Sequence, residues 1–234
     1  DIYEPNEENP MIGWRGASRY YSPEYSKAFE LECKALAYAR EIMKMNNIVV
    51  MIPFCRTPEE CKKVVDSMAS NGLERGKSGL KVYLMCEIPS NVIEADRFAP
   101  YIDGVSIGGN DLLQLTLGID RDSEKLQSMT DHTNVSYRRM IKMAIQDYSI
   151  CGVKVGFCGQ QPSDSEEFCA FLVDSGIDTI SLTPDSLLSV RKYLENKYLI
   201  KIEYLDFRNI KNLNRSNFKT KFKLLIAYYI DNVR

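Results

Sequence analysis

The chain has 234 residues, 44% of them apolar and 26% charged, with a formal net charge of −2. That suits one soluble domain or a domain with an appendage, and excludes a disordered, collagen-like or disulfide-scaffold chain. No overall basic excess points to nucleic acid, no apolar run approaches the length of a membrane span, and the polar DIYEPNEENP start is not a signal peptide.

In chain order, the apolar period over 19–45 (Phe29, Leu31, Ala35, Leu36, Ala39, Ile42, Met43) predicts a helix. Residues 11–18 offer one short additional strand. NIVVMIPF, 47–54, reads as a buried strand. Thr57-Pro58-Glu59-Glu60 then supplies an N-cap, a first-turn proline and a capping-box glutamate for a helix over about 58–71. Further strands are expected at 80–88, 103–108, 153–158 and 178–182. Helices are expected from Pro89, near Asn110, over 134–149, after Ser163-Asp164-Ser165-Glu166 and after Thr183-Pro184. Five short apolar strands alternating with helices define a parallel α/β chain, barrel or open sheet. No G-x-G-x-x-G or Walker sequence supports a nucleotide-binding open sheet.

Residues 196–234 carry a net charge of +6 and 1–195 a net of −8. The tail has no glycine or proline and reads as a separate basic amphipathic extension with partial helicity, without support for a nucleic-acid or membrane arm. Seven scattered cysteines with no C-x-x-C pair suit small buried thiols in a reducing cytosol. Cys151 and Cys169 are expected to be packing residues. The single histidine, His132, reads as a solvated loop residue.

Chemistry is expected where each apolar strand breaks into polar or small residues. These breaks are Cys55-Arg56, Cys86-Glu87, Gly108-Gly109-Asn110-Asp111, Cys158-Gly159-Gln160 and Thr183-Pro184. In a barrel such ends converge on one face. Glu87 and Asp111 suit a hard divalent cation, since Mg²⁺ takes one or two carboxylates and fills its other positions with water and substrate oxygens. From spacing alone, the alternative is that each carboxylate caps a helix or meets a lysine. Gly108-Gly109-Asn110 allows close approach of an anion to a helix N-terminus, and equally an ordinary turn. A cysteine at the position of Cys158 can transfer a proton, although an arbitrary cysteine there is more often an inert buried thiol.

NPMIGWRGASRYYS (9–22), MIPFCRT (51–57), MCEIPSNVIEAD (85–96), DGVSIGGNDLLQLTLGIDRDS (103–123), GFCGQQPSD (156–164) and GIDTISLTPDSLL (176–188) follow one another in this order. Together they resemble the C-terminal phosphoenolpyruvate (PEP)/pyruvate-binding barrel of the phosphoenolpyruvate synthase family, over about residues 1–190. The resemblance implies a (β/α)₈ barrel of TIM type, here lacking its first strands, in a domain over 1–195 with the 196–234 extension outside the match. It implies Glu87 and Asp111 as Mg²⁺ ligands. Gly108, Gly109, Asn110, Arg15 and Arg121 become substrate-side residues, and Cys158 the proton donor to C3. The family usually has Ser or Thr at the position of Gly109 and Asn at that of Thr183. It also carries ATP-binding and phosphohistidine domains upstream, which 234 residues do not hold. The chain is therefore expected to be a portion of a longer cytoplasmic, homo-oligomeric enzyme that binds pyruvate or PEP. The alternative is a truncated binding fragment or the remnant of a disrupted gene.

Overall fold

A computed structural model describes residues 4–120, 123–129, 131–199 and 223–225. The chain divides into two compact units, 1–155 and 156–234.

The first unit opens with turns through residues 10–16 and the short helix α1 (Ala17–Tyr20), so no strand forms over 11–18. Gly16 lies at φ +63° and directs the chain across the end of the first strand. The expected helix over 19–45 is broken by the turn around Pro23, and α2 spans Ser26–Glu41. Its inner face is Phe29, Cys33 and Arg40. Buried Arg40 donates to the carbonyls of Asn46 (3.1 Å), Ile48 (2.5 Å) and Ser78 (2.9 Å). The opposite face exposes Leu31, Tyr38 and Ile42. Strand β1 (Val50–Ile52) buries Val50 and Ile52 and exposes Met51, and it pairs on one side with β2 among the described residues.

Helix α3 (Pro58–Ser70) starts as expected, with Thr57 Oγ1 accepting the Glu60 N–H at 3.1 Å and Pro58 in the first turn. Glu60 does not close a capping box. Its Oε2 reaches one residue further back and accepts the Arg56 N–H at 2.5 Å. Strand β2 (Val82–Cys86) pairs in parallel with β1, and β3 (Gly104–Gly108) in parallel with β2, with Leu84 opposite Val105 and Cys86 opposite Ile107. Between them lie α4 (Pro89–Ile93) and α5 (Ala95–Phe98). After β3 come α6 (Gly109–Leu117) and α7 (Val135–Ile150), the latter capped by Asn134. Val82, Leu84, Val105 and Ile107 are fully buried, as are Ile141 and Tyr148 of α7. Burial alternates along β2, with Tyr83 and Met85 half-buried, whereas every residue of β3 but Ser106 is buried.

Strand β4 (Lys154–Cys158) runs across the division, and the second unit continues with α8 (Gln161–Asp164), α9 (Glu166–Asp174), β5 (Thr179–Ser181) and α10 (Leu187–Tyr198). Ser165 caps α9 by accepting the Phe168 N–H at 3.2 Å. Strand β5 pairs in parallel with β4. Its other neighbour is β6 (Lys223–Leu225), also parallel, so these three residues of the tail are strand rather than helix. The chain is thus α/β with parallel strands, consistent with part of a (β/α) barrel. Among the described residues, no helix is long and apolar enough to cross a membrane.

Of the seven cysteines, Cys33, Cys55, Cys61, Cys86 and Cys169 are buried free thiols. Burial pushes Cys33 up to about 11 and Cys169 up to about 12. Cys151, expected to pack, is instead exposed just after α7, and Cys158 is partly exposed. Thiolates, not thiols, react with aromatic disulfides. Two thiols, Cys151 and Cys158, are therefore expected to react quickly with such a reagent at pH 8, with all seven reacting after denaturation. A third fast thiol in the folded chain would contradict this burial pattern.

Candidate active site

The candidate residues of the first unit gather at the C-terminal ends of β1, β2 and β3. Glu87 follows β2 directly and is buried, 6% exposed. Its Oε1 accepts the backbone N–H of Phe54 at 2.7 Å. Gly108, the last residue of β3, lies beside it. A Cβ on Gly108 would stand 2.8 Å from both Cβ and Oε2 of Glu87. Gly108 is therefore required by the approach of the Glu87 side chain, a more specific reason than a permissive turn. Gly109 opens α6 and is buried, Asn110 is exposed, and Asp111 lies in the first helical turn.

Asp111 Oδ1 pairs with Arg15 Nη1 at 3.1 Å, and both side chains are largely buried. One partner of Asp111 is thus an arginine 96 residues away. The guanidinium of Arg15 lies over the Phe54 ring, 4.1 Å from its centroid, and that of Arg56 approaches the same ring at 5.0 Å. A cation over an aromatic face gains about 0.5–2 kcal/mol, more when desolvated.

Phe54 connects the two carboxylates. Its ring supports Arg15, which holds Asp111, while its N–H holds Glu87. Its backbone is left-handed at φ +42°, a conformation costing about 1–3 kcal/mol for a non-glycine residue. Gly16 makes this arrangement possible, since a Cβ there would meet Phe54 Cβ at 2.5 Å and Pro53 O at 2.7 Å. The Ala17 N–H donates to Pro53 O at 2.9 Å, fastening the GWRGA turn onto the end of β1.

A second buried clip fixes Glu87 from behind. Asn91 is fully buried. Its Oδ1 accepts the N–H groups of Glu87 (3.2 Å) and Ile88 (3.0 Å), and its Nδ2 donates to Cys55 O at 2.6 Å. Tyr148 of α7 donates to Asn91 O at 2.8 Å, and Ser90 Oγ to Arg56 O at 2.8 Å. Burial raises the Tyr148 phenol well above its ordinary range, so it remains a neutral donor. The ends of β1 and β2 are thereby cross-linked by side chains of α4.

The donor set suits a hard divalent cation. Glu87 and Asp111 offer carboxylate oxygens, and Gly108 contributes no side chain beside Glu87 Oε2. No group of three or more His, Cys, Asp or Glu able to hold a metal occurs among the described residues.

In the second unit, Cys158 ends β4 and is followed by α8. Thr183 follows the β5 segment, its N–H donating to Ser163 Oγ at 2.9 Å and its hydroxyl meeting Ser186 Oγ at 3.1 Å. His132 is partly exposed, with Nδ1 3.8 Å from Asp131 Oδ1. Arg121 lies outside the described residues.

Phe54 and Asn91 were absent from the residues singled out by sequence, and Arg56 stood at a strand break without a role. Asn91 had a signal, because it stands three residues after the residue preceding helix-opening Pro89, where a side chain reaches back to the helix entry. Phe54 had none, since nothing local marks a phenylalanine for φ +42°.

Parallel β/α units of the first unit thus bring two carboxylates and an arginine to their strand ends. The chain belongs to the family of PEP-utilising enzymes, matching its PEP-binding domain over residues 1–198. It is 58% identical over 186 residues to the phosphoenolpyruvate synthase of Synechocystis sp., covering 80% of this chain and 23% of that protein. The phosphoenolpyruvate synthase of Aquifex aeolicus is 56% identical over 187 residues (80% and 22%), and that of Escherichia coli K12 is 48% identical over 186 (80% and 24%). The chain thus spans about a quarter of the length of these relatives.

Proposed function

We propose that this chain is the pyruvate- and PEP-binding part of a phosphoenolpyruvate synthase, serving the reaction ATP + pyruvate + H₂O → AMP + PEP + phosphate. The observation that carries the reading is the linked set Arg15–Asp111 and Phe54–Glu87 at the strand ends. It joins two carboxylates suited to Mg²⁺ with a guanidinium suited to a carboxylate or phosphoryl group. The names of the relatives support the choice of substrate.

In this reading Glu87 and Asp111 hold Mg²⁺, which would draw electron density from the pyruvate oxygens and ease loss of a methyl proton. Glu87 is kept in place by Phe54 and Asn91, so its carboxylate does not reorganise during the reaction. Arg15 faces the anionic end of the ligand, carboxylate or phosphoryl, Arg121 by resemblance faces the phosphoryl group, and Gly108, Gly109 and Asn110 line the substrate. By resemblance alone, Cys158 as thiolate takes a proton from C3 as the pyruvate oxygen forms its bond to phosphorus. As thiol, it returns that proton in the reverse direction. The phosphoryl group comes from a histidine on a domain outside this chain, charged at a separate ATP site. Self-association and a cytoplasmic setting belong to the same reading.

Binding of oxalate, a planar mimic of pyruvate lacking its methyl group, provides the test. Calorimetry is expected to show oxalate binding that depends on Mg²⁺ or Mn²⁺. Asp111→Asn should weaken it at least tenfold while leaving the circular dichroism spectrum unchanged. Metal-independent oxalate binding, or an unaltered Asp111→Asn affinity, would refute the reading.

A further inference from the structure

We infer that Arg56 is a positioning residue that acts through Arg15, an inference that rests on the anion-binding role given to Arg15 above. Arg56 follows the end of β1 on the same short segment as Phe54, yet its side chain is turned toward the 12–18 segment. Nη2 donates to Gly13 O and, at 3.4 Å, to Ile12 O. Nη1 donates to Arg15 O at 3.4 Å and to Ser18 Oγ at 3.3 Å. One guanidinium thus gathers three carbonyls and a hydroxyl from the turn that presents Arg15. A lysine ammonium, a point charge with a single nitrogen, cannot reproduce that fork.

Arg56 is itself held from α3. Its backbone N–H donates to Glu60 Oε2 at 2.5 Å, and Nη1 lies 4.0 Å from Glu60 Oε1. Glu60 is buried, 7% exposed, and Oε1 also accepts Tyr21 OH at 3.0 Å. This explains why Glu60 leaves its capping-box position. The carboxylate of α3 orders Arg56, Arg56 orders the turn, and the turn sets Arg15 over Phe54 and against Asp111. Other ties also hold the turn, among them the Ala17 N–H to Pro53 O and the Trp14 N–H to Glu7 Oε1, both at 2.9 Å, and Arg19 Nε to Trp14 O at 2.9 Å. The carbonyls of Gly13 and Arg15 also accept from the Arg15 N–H (3.0 Å) and Ser18 Oγ (2.9 Å), both within the 12–18 segment, whereas Arg56 gathers the carbonyls of residues 12, 13 and 15 from outside it.

The chain contains one tryptophan, Trp14, next to Arg15 in this turn. Its fluorescence reports the order of the turn without reference to any ligand. In the 234-residue chain, Arg56→Lys and Arg56→Gln are each expected to weaken Mn²⁺-dependent oxalate binding about tenfold, the usual cost of losing an outer-shell support. Mn²⁺ affinity alone should stay within about twofold, and acrylamide quenching of Trp14 should rise at least about twofold. In an Arg15→Ala background, Arg56→Gln should cost no further oxalate affinity, because the two residues act as one unit. Additive losses in the double variant would mean that Arg56 serves the ligand independently. Unchanged Trp14 quenching would mean that it does not order the turn. Either result overturns the inference. If Arg15→Ala alone leaves oxalate binding intact, the anion-binding reading of Arg15 fails, and the quenching result still decides whether Arg56 orders the turn. Should Arg56→Gln fail to fold, the same measurements on Arg56→Lys decide between these outcomes.

Discussion

Replacing Glu87 by glutamine is expected to abolish divalent-cation binding while the chain remains folded. The amide oxygen of the new side chain can still accept the Phe54 N–H that Oε1 accepts at 2.7 Å, so the buried donor keeps its partner. What disappears is the negative charge beside Gly108. Outer-shell changes at metal sites cost about 10–100-fold in affinity, so loss of a ligand should exceed about 100-fold. Glu87→Ala should add a stability cost of about 1–3 kcal/mol, because the Phe54 N–H loses its acceptor at a backbone position already strained by its left-handed conformation. Metal titration by Mn²⁺ electron paramagnetic resonance, paired with urea unfolding, separates the two effects. Glu87→Gln binding Mn²⁺ like the parent chain would remove Glu87 from the ligand set.

A chimera in which residues 1–198 replace the matching domain of the Synechocystis enzyme offers the test of Cys158. Cys158→Ala is expected to keep Mg²⁺-dependent oxalate binding and phosphorylation of the upstream histidine by ATP, since neither needs a proton moved at C3. Exchange of the pyruvate methyl protons with solvent should be lost. Net turnover should fall by the roughly 10²–10⁴-fold typical of a general acid–base group. Cys169→Ala, which removes a fully buried thiol donating to Pro162 O at 3.1 Å, should lower stability and spare exchange. Parent-like exchange in Cys158→Ala, followed by NMR in deuterated water, would assign the proton to another group.

Much of the fold was legible because parallel strands leave a plain trace. The runs ending in Ile52, Cys86, Gly108 and Cys158 are mostly apolar, and those ending in Ile52, Cys86 and Cys158 lead into a helix entry written in Thr-Pro, Ile-Pro or Ser-Glu chemistry. Glu87 and Asp111 stood out because charge directly after a buried run is costly without a purpose. The misreadings share one physical origin, namely that the deciding contacts are long-range. Residues 11–18 have strand-like spacing, but Gly16 and the close approach of Phe54 bend them into a turn. Glu60 has the capping-box position, but a buried link to Arg56 and Tyr21 takes its carboxylate. Gly108 looked permissive, and its small size is instead demanded by the Glu87 side chain across the β2–β3 register. Cys151 sits in an apolar stretch of sequence, yet it follows the exposed C-terminal end of α7.

The outward face of α2 and β1 also governs how the isolated chain behaves as a colloid. Leu31, Tyr38, Ile42 and Met45 on or just after the helix, and Val49 and Met51 at the strand, are each at least 41% exposed and lie close together in sequence. A net charge of −2 supplies little repulsion between molecules. Solubility is therefore expected to depend more on this face than on the stability of the site. Charged residues placed at Leu31 and Ile42, on the side of α2 away from Phe29 and Cys33, would raise the workable concentration without touching Arg15, Phe54 or Glu87.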